Sequence, residues 1–228
     1  MRDILKKDIE IQTKSGIHSV IVDGKKEKHS PWLMDAFSFL YDWSMKKNVY
    51  PKKLSANMDA HYDIIKHYLQ NIHHTYILEL GTGSGQICQF LESSNRYVGI
   101  DVSKGLLKQA VKNFQQVSNQ NFSLFLASAE RLPFKDAIFD RIICNLSFNF
   151  FPDQSKTISE IYRLLKETGE FFCSVPVPER KDPKSEIHGN LLTEKELMRL
   201  FQPSGFTFSS LPHQNGAILY FVAKKKGR

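Results

Sequence analysis

The sequence has little cysteine and no long apolar run. Its 228 residues include three cysteines, Cys88, Cys144 and Cys173, which are far apart and each follow an apolar residue. Thiols in such contexts are typical of buried positions, and their spacing argues against a disulfide framework or a metal centre. No stretch approaches the roughly 20 apolar residues of a membrane span, and the segment MRDILKKDIE lacks the apolar middle of a signal peptide. We therefore expect a soluble, cytoplasmic protein.

A long tract of one charge sign is also missing. The formal net charge of +7 comes from scattered lysines, and residues 1–53 hold eleven Lys or Arg against seven Asp or Glu. This excess permits nucleic-acid binding but is also typical of an ordinary solvated surface. Aspartates and histidines at metal-ligand spacing are absent as well, so the sequence predicts no metal site.

Short apolar runs alternate with segments of helical period from about residue 75 onward. Leu107, Val111 and Phe114 form one apolar stripe behind Ser103, a candidate helix cap, and Ile158, Ile161 and Leu165 form another. This alternation predicts an α/β fold with a parallel sheet covered by helices on both faces. The predicted strands are 76–80, 97–101, 123–127, 139–145 and 170–175, followed by a helix that begins at Thr193 and a hairpin of strands 206–210 and 217–223.

The region before residue 75 is different in kind. Residues 8–24 alternate apolar and polar side chains around Ser15-Gly16 and predict a hairpin, and residues 57–70 predict a helix. Between them lie six aromatic residues, Trp32, Phe37, Phe39, Tyr41, Trp43 and Tyr50. We expect residues 1–55 to form a hairpin and aromatic lid apart from the sheet, and residues 56–228 to form the main domain.

The stretch ILELGTGSGQ, residues 77–86, predicts a ligand site at the end of the first strand of the main domain, where the glycine loop is expected to open a helix. Its glycines follow the pattern G-x-G-x-G, and Gln86 stands where a dinucleotide fingerprint would have its third glycine. Glu79 supplies a carboxylate that suits a cationic ligand better than a pyrophosphate. Asp101, twenty residues after Gly81, is placed to accept both hydroxyls of a ribose. A ribose joined to a cationic, phosphate-free tail describes S-adenosylmethionine.

Four segments in order, ELGTGSG, VGIDVS, ASAERLPFKDAIFDRIICNLSFNF and ISEIYRLLKETGEFFCSVP, resemble the class I S-adenosylmethionine-dependent methyltransferases. The most similar branch is methyltransferase type 11, which contains the ubiquinone and menaquinone methyltransferases. The resemblance implies a Rossmann-like, seven-stranded sheet in the order 3-2-1-4-5-7-6 with an antiparallel last strand. It also implies S-adenosylmethionine as methyl donor and S-adenosylhomocysteine as product. The family's turn before the fifth strand is altered here to Lys166-Glu167-Thr168-Gly169.

The resemblance assigns the cofactor to residues at the ends of four strands. Glu79 and the glycine loop would hold the methionine part, Asp101 the ribose, and Val102 the adenine. Ser128 stands where an aspartate often accepts from the adenine amino group, so we expect a weaker contact there. The complete implied set is Glu79, Gly81, Thr82, Gly83, Gly85, Asp101, Val102, Ser128, Ala129, Glu130, Asn145, Leu146 and Ser147.

The acceptor and the catalytic residues are less defined by the sequence. We expect a small-molecule acceptor, with His61, His188 and Tyr41 as candidate bases, although each of these also fits a surface or packing role. Two alternatives stay open: an RNA methyltransferase that uses the basic amino-terminal segment, and a non-catalytic scaffold that binds S-adenosylmethionine.

Overall fold

A computed structural model describes residues 2–22, 25–26, 40–117 and 121–227. Of the six aromatic residues of the expected lid, Trp32, Phe37 and Phe39 lie outside this range. Among the described residues, no helix has the length and apolar character needed to span a membrane. Cys88, Cys144 and Cys173 are free thiols, and all three are buried, as predicted.

The described residues form one mixed sheet of ten strands, in the spatial order β1-β2-β6-β5-β4-β7-β8-β10-β9 with β3 beside β2. Numbered from β4, the last seven strands of this path follow the order 3-2-1-4-5-7-6, which confirms the predicted fold. β10 runs antiparallel to both of its neighbours. The strands are β1 Glu10–Lys14, β2 Ile17–Val22, β3 Lys25–Lys26, β4 Tyr76–Leu80, β5 Arg96–Asp101, β6 Phe122–Leu126, β7 Phe139–Asn145, β8 Leu165–Pro176, β9 Phe206–Ser210 and β10 Ile218–Lys225.

Helices cover both faces of this sheet, as the two apolar stripes predict. Of the helices in the described part of the chain, α2 and α3 pack with one face of β4 and β7 through Ile77 and Ile143. On the opposite face, α4 and α5 pack with Leu78 and Ile142. The helices are α1 Tyr41–Ser44, which continues into a π-helical segment Met45–Lys53, α2 Met58–Leu69, α3 Lys104–Gln116, α4 Gln154–Leu164 and α5 Glu194–Phe201.

Local polar side chains fix where the helices begin. The Ser103 hydroxyl accepts from the amide of Leu106 at the start of α3. Thr193 and Glu196 form a reciprocal capping box at the start of α5. Each cap satisfies an amide that has no partner within the helix, so the sequence positions of these residues determine the helix boundaries.

The amino-terminal hairpin extends the sheet instead of standing apart from it. β1 and β2 pair antiparallel, and β2 pairs in parallel with β6, with Ile17 opposite Leu124. Ile17 and Val20 are buried, at 3% and 5% exposure. The expectation of a hairpin apart from the sheet is therefore wrong. Without β2, the strand β6 would lie at the edge of the sheet with unpaired backbone groups. The boundary at residue 55 stays a prediction.

Two local features differ from the sequence prediction. Residues 166–169, expected as a turn before the fifth strand, lie inside β8, where the pairing with β7 shifts between Phe139 opposite Leu165 and Arg141 opposite Glu170. The helix expected after the glycine loop is only a short 3₁₀ segment, Gln86–Phe90. The apolar residues here, Ile87, Cys88, Phe90 and Leu91, are followed at once by the polar run 92–95, so an apolar stripe does not continue beyond about one helical turn.

The π-helical segment is fastened to the loop between β9 and β10. The Ala217 amide donates to the Leu54 carbonyl oxygen at 2.7 Å, and the Asn57 amide donates to Oδ1 of Asn215 at 2.8 Å. Gly216 packs so closely that a Cβ there would lie 2.1 Å from the Leu54 oxygen. These contacts hold residues 45–57 above the carboxyl edge of the sheet.

Candidate active site

The predicted site residues meet at one edge of the sheet. β4, β5, β6 and β7 are parallel neighbours, so the residues that follow their carboxyl ends gather together. Glu79 and the glycine loop follow β4, Asp101 ends β5, Ser128 follows β6, and Asn145 ends β7.

The glycine loop has left-handed backbone at each of its glycines. Gly81, Gly83 and Gly85 have φ values of +70°, +54° and +75°, a region that residues with a Cβ rarely adopt. Amides of this loop are used within the protein: Thr82 donates to the Ile100 carbonyl oxygen at 2.9 Å, Gly83 to Oδ2 of Asp101 at 2.9 Å, and Gly85 to the Thr82 carbonyl oxygen at 2.9 Å. The loop therefore offers a ligand a close, bare backbone surface more than a set of free donors.

Glu79 is a buried acidic residue beside this loop. Its side chain is 2% exposed, and Oε2 accepts from the Thr82 hydroxyl at 2.8 Å and from the Tyr97 hydroxyl. Burial raises the pKa of Glu79 to about 7, which the two hydroxyl donors oppose and the negative charge of Asp101 reinforces. A cation bound next to Glu79 would stabilise its charged form.

Asp101 ties the glycine loop to the start of α3. Oδ2 accepts from the Gly83 amide at 2.9 Å, and Oδ1 accepts from the Ser103 amide at 2.8 Å. These two bonds fix the orientation of the Asp101 carboxylate at the carboxyl end of β5. Val102 follows with its side chain 40% exposed, which leaves an apolar surface beside Asp101.

Ser128 already has a carboxylate partner. Its hydroxyl donates to Oε2 of Glu130, and Oε1 of Glu130 lies 3.4 Å from the Asp153 amide nitrogen. Ala129 between them is buried. Within the described residues, Glu130 therefore orients the Ser128 hydroxyl, so that its oxygen is the group available to a ligand.

Asn145 is oriented by a buried polar network. Its Oδ1 accepts from Nε2 of His61 and from the Ser174 hydroxyl, both at 2.8 Å, and the Tyr220 hydroxyl donates to Nδ1 of His61 at 2.8 Å. Burial lowers the pKa of His61 to about 4, partly opposed by the bond with Asn145, so the imidazole is neutral at pH 7. With its oxygen so engaged, Asn145 presents its amide nitrogen to a ligand.

The residues after Asn145 complete this corner of the site. Leu146 has a φ of +50°, an unusual conformation for a side chain of its size that is often found at functional sites. Its amide donates to the Ser174 carbonyl oxygen at 2.9 Å, and the Ser147 hydroxyl donates to the Gly81 carbonyl oxygen at 3.2 Å. β7 is thereby joined to the glycine loop.

Two cavities lie side by side at this edge. The loop cavity, about 300 Å³, is lined by Tyr41, Asp42, Trp43, Met45, Lys46, Tyr50, Met58, Tyr62, Glu79, Gly81, Thr82, Gly83, Ser84, Gln86, Ile87, Asn145 and Leu146. The apolar cavity, about 460 Å³, is lined by Tyr41, Ser44, Met45, Val49, Lys53, Leu54, Leu146, Asn149, Phe150, Pro176, Ile187, His188 and Gly189. Tyr41, Met45 and Leu146 line both, so they mark the junction between the cavities.

The three candidate bases occupy different positions. Tyr41 lies at the junction, and burial together with the negative charge of Asp101 raises the pKa of its phenol well above the usual value. His188 lines the apolar cavity near its Lys53 side, with Nε2 3.4 Å from Nζ of Lys53. His61 lines neither cavity and has both ring nitrogens engaged by protein groups.

Sequence reasoning missed Asp42 and Tyr97. Oδ1 of Asp42 accepts from the Ser84 hydroxyl at 2.7 Å, and Oδ2 accepts from Nε2 of Gln86 at 2.9 Å, which draws α1 onto the glycine loop. Tyr97 lies on the strand next to β4 and bonds Glu79 from there. The Asp42 contact joins segments more than 40 residues apart and has no local sequence signal, whereas strand adjacency could have suggested Tyr97.

Comparison with known proteins finds similarity to methyltransferases. Residues 78–173 match the model of a family described as "Methyltransferase domain". The chain is 35% identical to the ubiquinone/menaquinone biosynthesis C-methyltransferase of Rickettsia felis, over 43% of each protein. It is 30% identical to human arsenite methyltransferase, over 63% of this chain and 43% of that protein. The chain thus spans less than half the length of either relative.

Solved structures share the fold at lower identity. A putative methyltransferase of Haloferax volcanii, solved in complex with the methyltransferase activator Trm112, is 19% identical to the chain and has a TM-score of 0.67. The alignment covers 87% of this chain and 100% of that one. The crystal structure of the YcgJ protein of Bacillus subtilis has a TM-score of 0.63, 17% identity, and covers 75% of this chain and 100% of that one.

Proposed function

Because the chain belongs to the class I S-adenosylmethionine-dependent methyltransferases, we propose that it transfers a methyl group from S-adenosylmethionine to a small molecule in the apolar cavity. The observation that carries this proposal is the pair of adjoining cavities. One contains the glycine loop and Glu79, the other is mostly apolar, and they share Tyr41, Met45 and Leu146. A methyl donor in the first cavity would therefore face an acceptor in the second.

The loop cavity fits the proposed cofactor in both shape and charge. Its glycine backbone leaves room for close approach, Glu79 offers a buried carboxylate to a cationic amino-acid tail, and Asn145 presents an amide donor. Asp101 lies next to the loop, where its carboxylate would accept from the ribose hydroxyls. Ser128, Ala129, Glu130 and Val102 would border the adenine.

S-adenosylmethionine supplies a methyl group that is already activated by a sulfonium, so the demands on the protein are modest. The cavities must align the acceptor with the methyl group and exclude water. Tyr41 stays protonated because the pKa of its phenol is raised, so it would orient an acceptor as a hydrogen-bond donor. His188 lines the apolar cavity beside Lys53, and His61 would act through Asn145 as a positioning residue.

Transfer of label tests the proposal. The protein is incubated with methyl-labelled S-adenosylmethionine and with separate small-molecule and RNA fractions of a cell extract. We expect label in the small-molecule fraction, and less label when Tyr41→Phe replaces the wild type. Label confined to RNA would contradict the small-molecule assignment, and cofactor binding without label in either fraction would support the non-catalytic scaffold.

Glu79 predicts a pH dependence of cofactor affinity. Between pH 5.5 and 7.5 the carboxyl group loses its proton, and the charged form attracts the cationic ligand, so affinity for S-adenosylmethionine should rise by about tenfold. In Glu79→Gln the side chain is neutral throughout, and this rise should disappear. Isothermal titration at several pH values measures the effect, and a parallel rise in both proteins would contradict it.

The unliganded protein should respond to pH with the opposite sign. The folded-state pKa of Glu79, about 7, exceeds its usual 4.5, so the folded state binds this proton more tightly than the unfolded state does. The contribution of Glu79 to the free energy of unfolding is therefore fully present below pH 4.5 and is lost as pH rises through 7. Comparing denaturant unfolding of the wild type and Glu79→Gln over this range isolates the contribution.

A further inference from the structure

The lining of the apolar cavity includes a lysine, Lys53, that has no carboxylate beside it among the described residues. Lys53 lines its wall half-buried, and its ammonium nitrogen lies 3.4 Å from Nε2 of His188. No Asp or Glu lines this cavity in the described part of the chain, and no carboxylate there pairs with Lys53. The two cavity-lining groups that can be charged are therefore both basic.

Several other half-buried cations of this protein have acidic partners. Arg163 pairs with Glu160 at 2.7 Å, Arg141 with Glu170 at 3.2 Å, and Lys166 with Asp140 at 2.8 Å. Removing a charge from water without a partner is unfavourable. Lys181, also half-buried, donates instead to the carbonyl oxygens of Asp182 and Ser185. Among the described residues Lys53 has neither kind of oxygen partner, and its position in a cavity wall suggests that the missing anion belongs to a ligand.

Both basic residues are held in place by their backbones. Lys53 ends the π-helical segment directly before Leu54, which accepts from the Ala217 amide at 2.7 Å. The His188 carbonyl oxygen accepts from Nδ2 of Asn149 at 2.7 Å. The pair is therefore a fixed feature of the cavity, whose lining also includes the apolar residues Val49, Phe150 and Ile187.

We propose that the methyl acceptor is an apolar molecule that carries a carboxylate, and that Lys53 and His188 bind this carboxylate. The inference rests on the proposed function, because it takes the apolar cavity as the acceptor site. A volume of about 460 Å³ lies in the range of small-molecule sites. The carboxylate fixes one end of the acceptor, and the methyl-accepting atom lies at the other end, near Tyr41 and Leu146.

Matched ligands on one carbon skeleton test the inference. Isothermal titration is carried out on the protein saturated with S-adenosylhomocysteine, using 4-phenylbutanoate, its amide and its amine, and decanoate with its amide and amine. We expect each carboxylate to bind about tenfold more tightly than its amide, as a charge-assisted hydrogen bond would give, and each amine to bind most weakly.

Lys52 provides a control variant for Lys53. Lys52 is exposed, lines neither cavity and contacts Asn48, with Nζ 3.0 Å from Oδ1. Lys53→Met should abolish the preference for carboxylates, and Lys52→Met should leave it unchanged. Equal affinities across each series, no binding of any member, or equal loss in both variants would overturn the inference.

The affinity for S-adenosylhomocysteine, measured first, separates this inference from the proposed function. If the wild type does not bind S-adenosylhomocysteine, the proposed function fails. If it binds S-adenosylhomocysteine and shows no carboxylate preference, only the acceptor class is wrong.

Discussion

Asp101→Ala is expected to weaken binding of S-adenosylhomocysteine by about 100-fold, because two hydroxyl bonds to a carboxylate are lost together. The substitution also removes the acceptor for the Gly83 amide at 2.9 Å and for the Ser103 amide at 2.8 Å. The glycine loop would therefore lose its tie to β5 as well as its ribose partner. Isothermal titration of the purified variant gives the change in affinity.

Asp101→Asn separates the ribose contact from the loop contact. Asparagine keeps the size of the side chain and one acceptor oxygen, so the loop can stay in place while charge assistance is lost. We expect a loss of about tenfold for this variant, between wild type and alanine. Affinity unchanged in both variants would mean that Asp101 does not bind the ribose.

Gly81→Ala is expected to lower the free energy of unfolding by about 2–4 kcal/mol and to abolish measurable cofactor binding. Gly81 has a φ of +70°, and a Cβ there would lie 2.5 Å from Cβ and Oγ of Ser147. The glycine loop would have to move away from the end of β7. Denaturant unfolding and titration with S-adenosylhomocysteine measure the two effects.

Two further variants show whether this overlap is the cause. At Gly227 an added Cβ meets nothing within 4 Å, so Gly227→Ala should change neither stability nor affinity. Combining Gly81→Ala with Ser147→Gly removes the overlapping atoms and should recover part of the lost stability, leaving the backbone strain of a positive φ. Full stability of the single Gly81→Ala variant would show that the loop is not confined as described.

The sequence predicts the parts of the fold that depend on local pattern. β4 and β7 have the predicted bounds, since each is a compact apolar run with clear ends. Ser103 and the Thr193 capping box begin helices where expected because a cap acts within three residues. The order of the seven strands came from four motifs that resemble a known family, and the observed pairing agrees with it.

Features that depend on distant contacts could not be predicted in this way. The hairpin joins β6 through residues more than 100 positions away, and its alternating pattern would be the same on a separate lid. The contacts of Asp42 with Ser84 and Gln86 also join distant positions, and an Asp after Tyr41 has no distinctive sequence neighbours from which they could be predicted. Residues 166–169 form a shifted pairing and not the expected turn, because β8 pairs with β7 both before and after these residues.

In the candidate site, too, some features follow from local sequence pattern and others depend on distant contacts. Strand ends and glycines indicate where a cofactor would bind, because parallel strands bring their carboxyl ends to one edge. The roles of the candidate bases depend on surroundings that the sequence does not display. His61 is buried between Tyr220 and Asn145, whereas Tyr41 lies where the two cavities meet.

A crystal structure with bound S-adenosylhomocysteine tests the central claim most directly. The account predicts the amino-acid tail in the loop cavity beside Glu79 and Asn145, the ribose hydroxyls on Asp101, and the sulfur facing the junction at Tyr41 and Leu146. A ligand bound elsewhere, or one whose sulfur faces away from the apolar cavity, would contradict it.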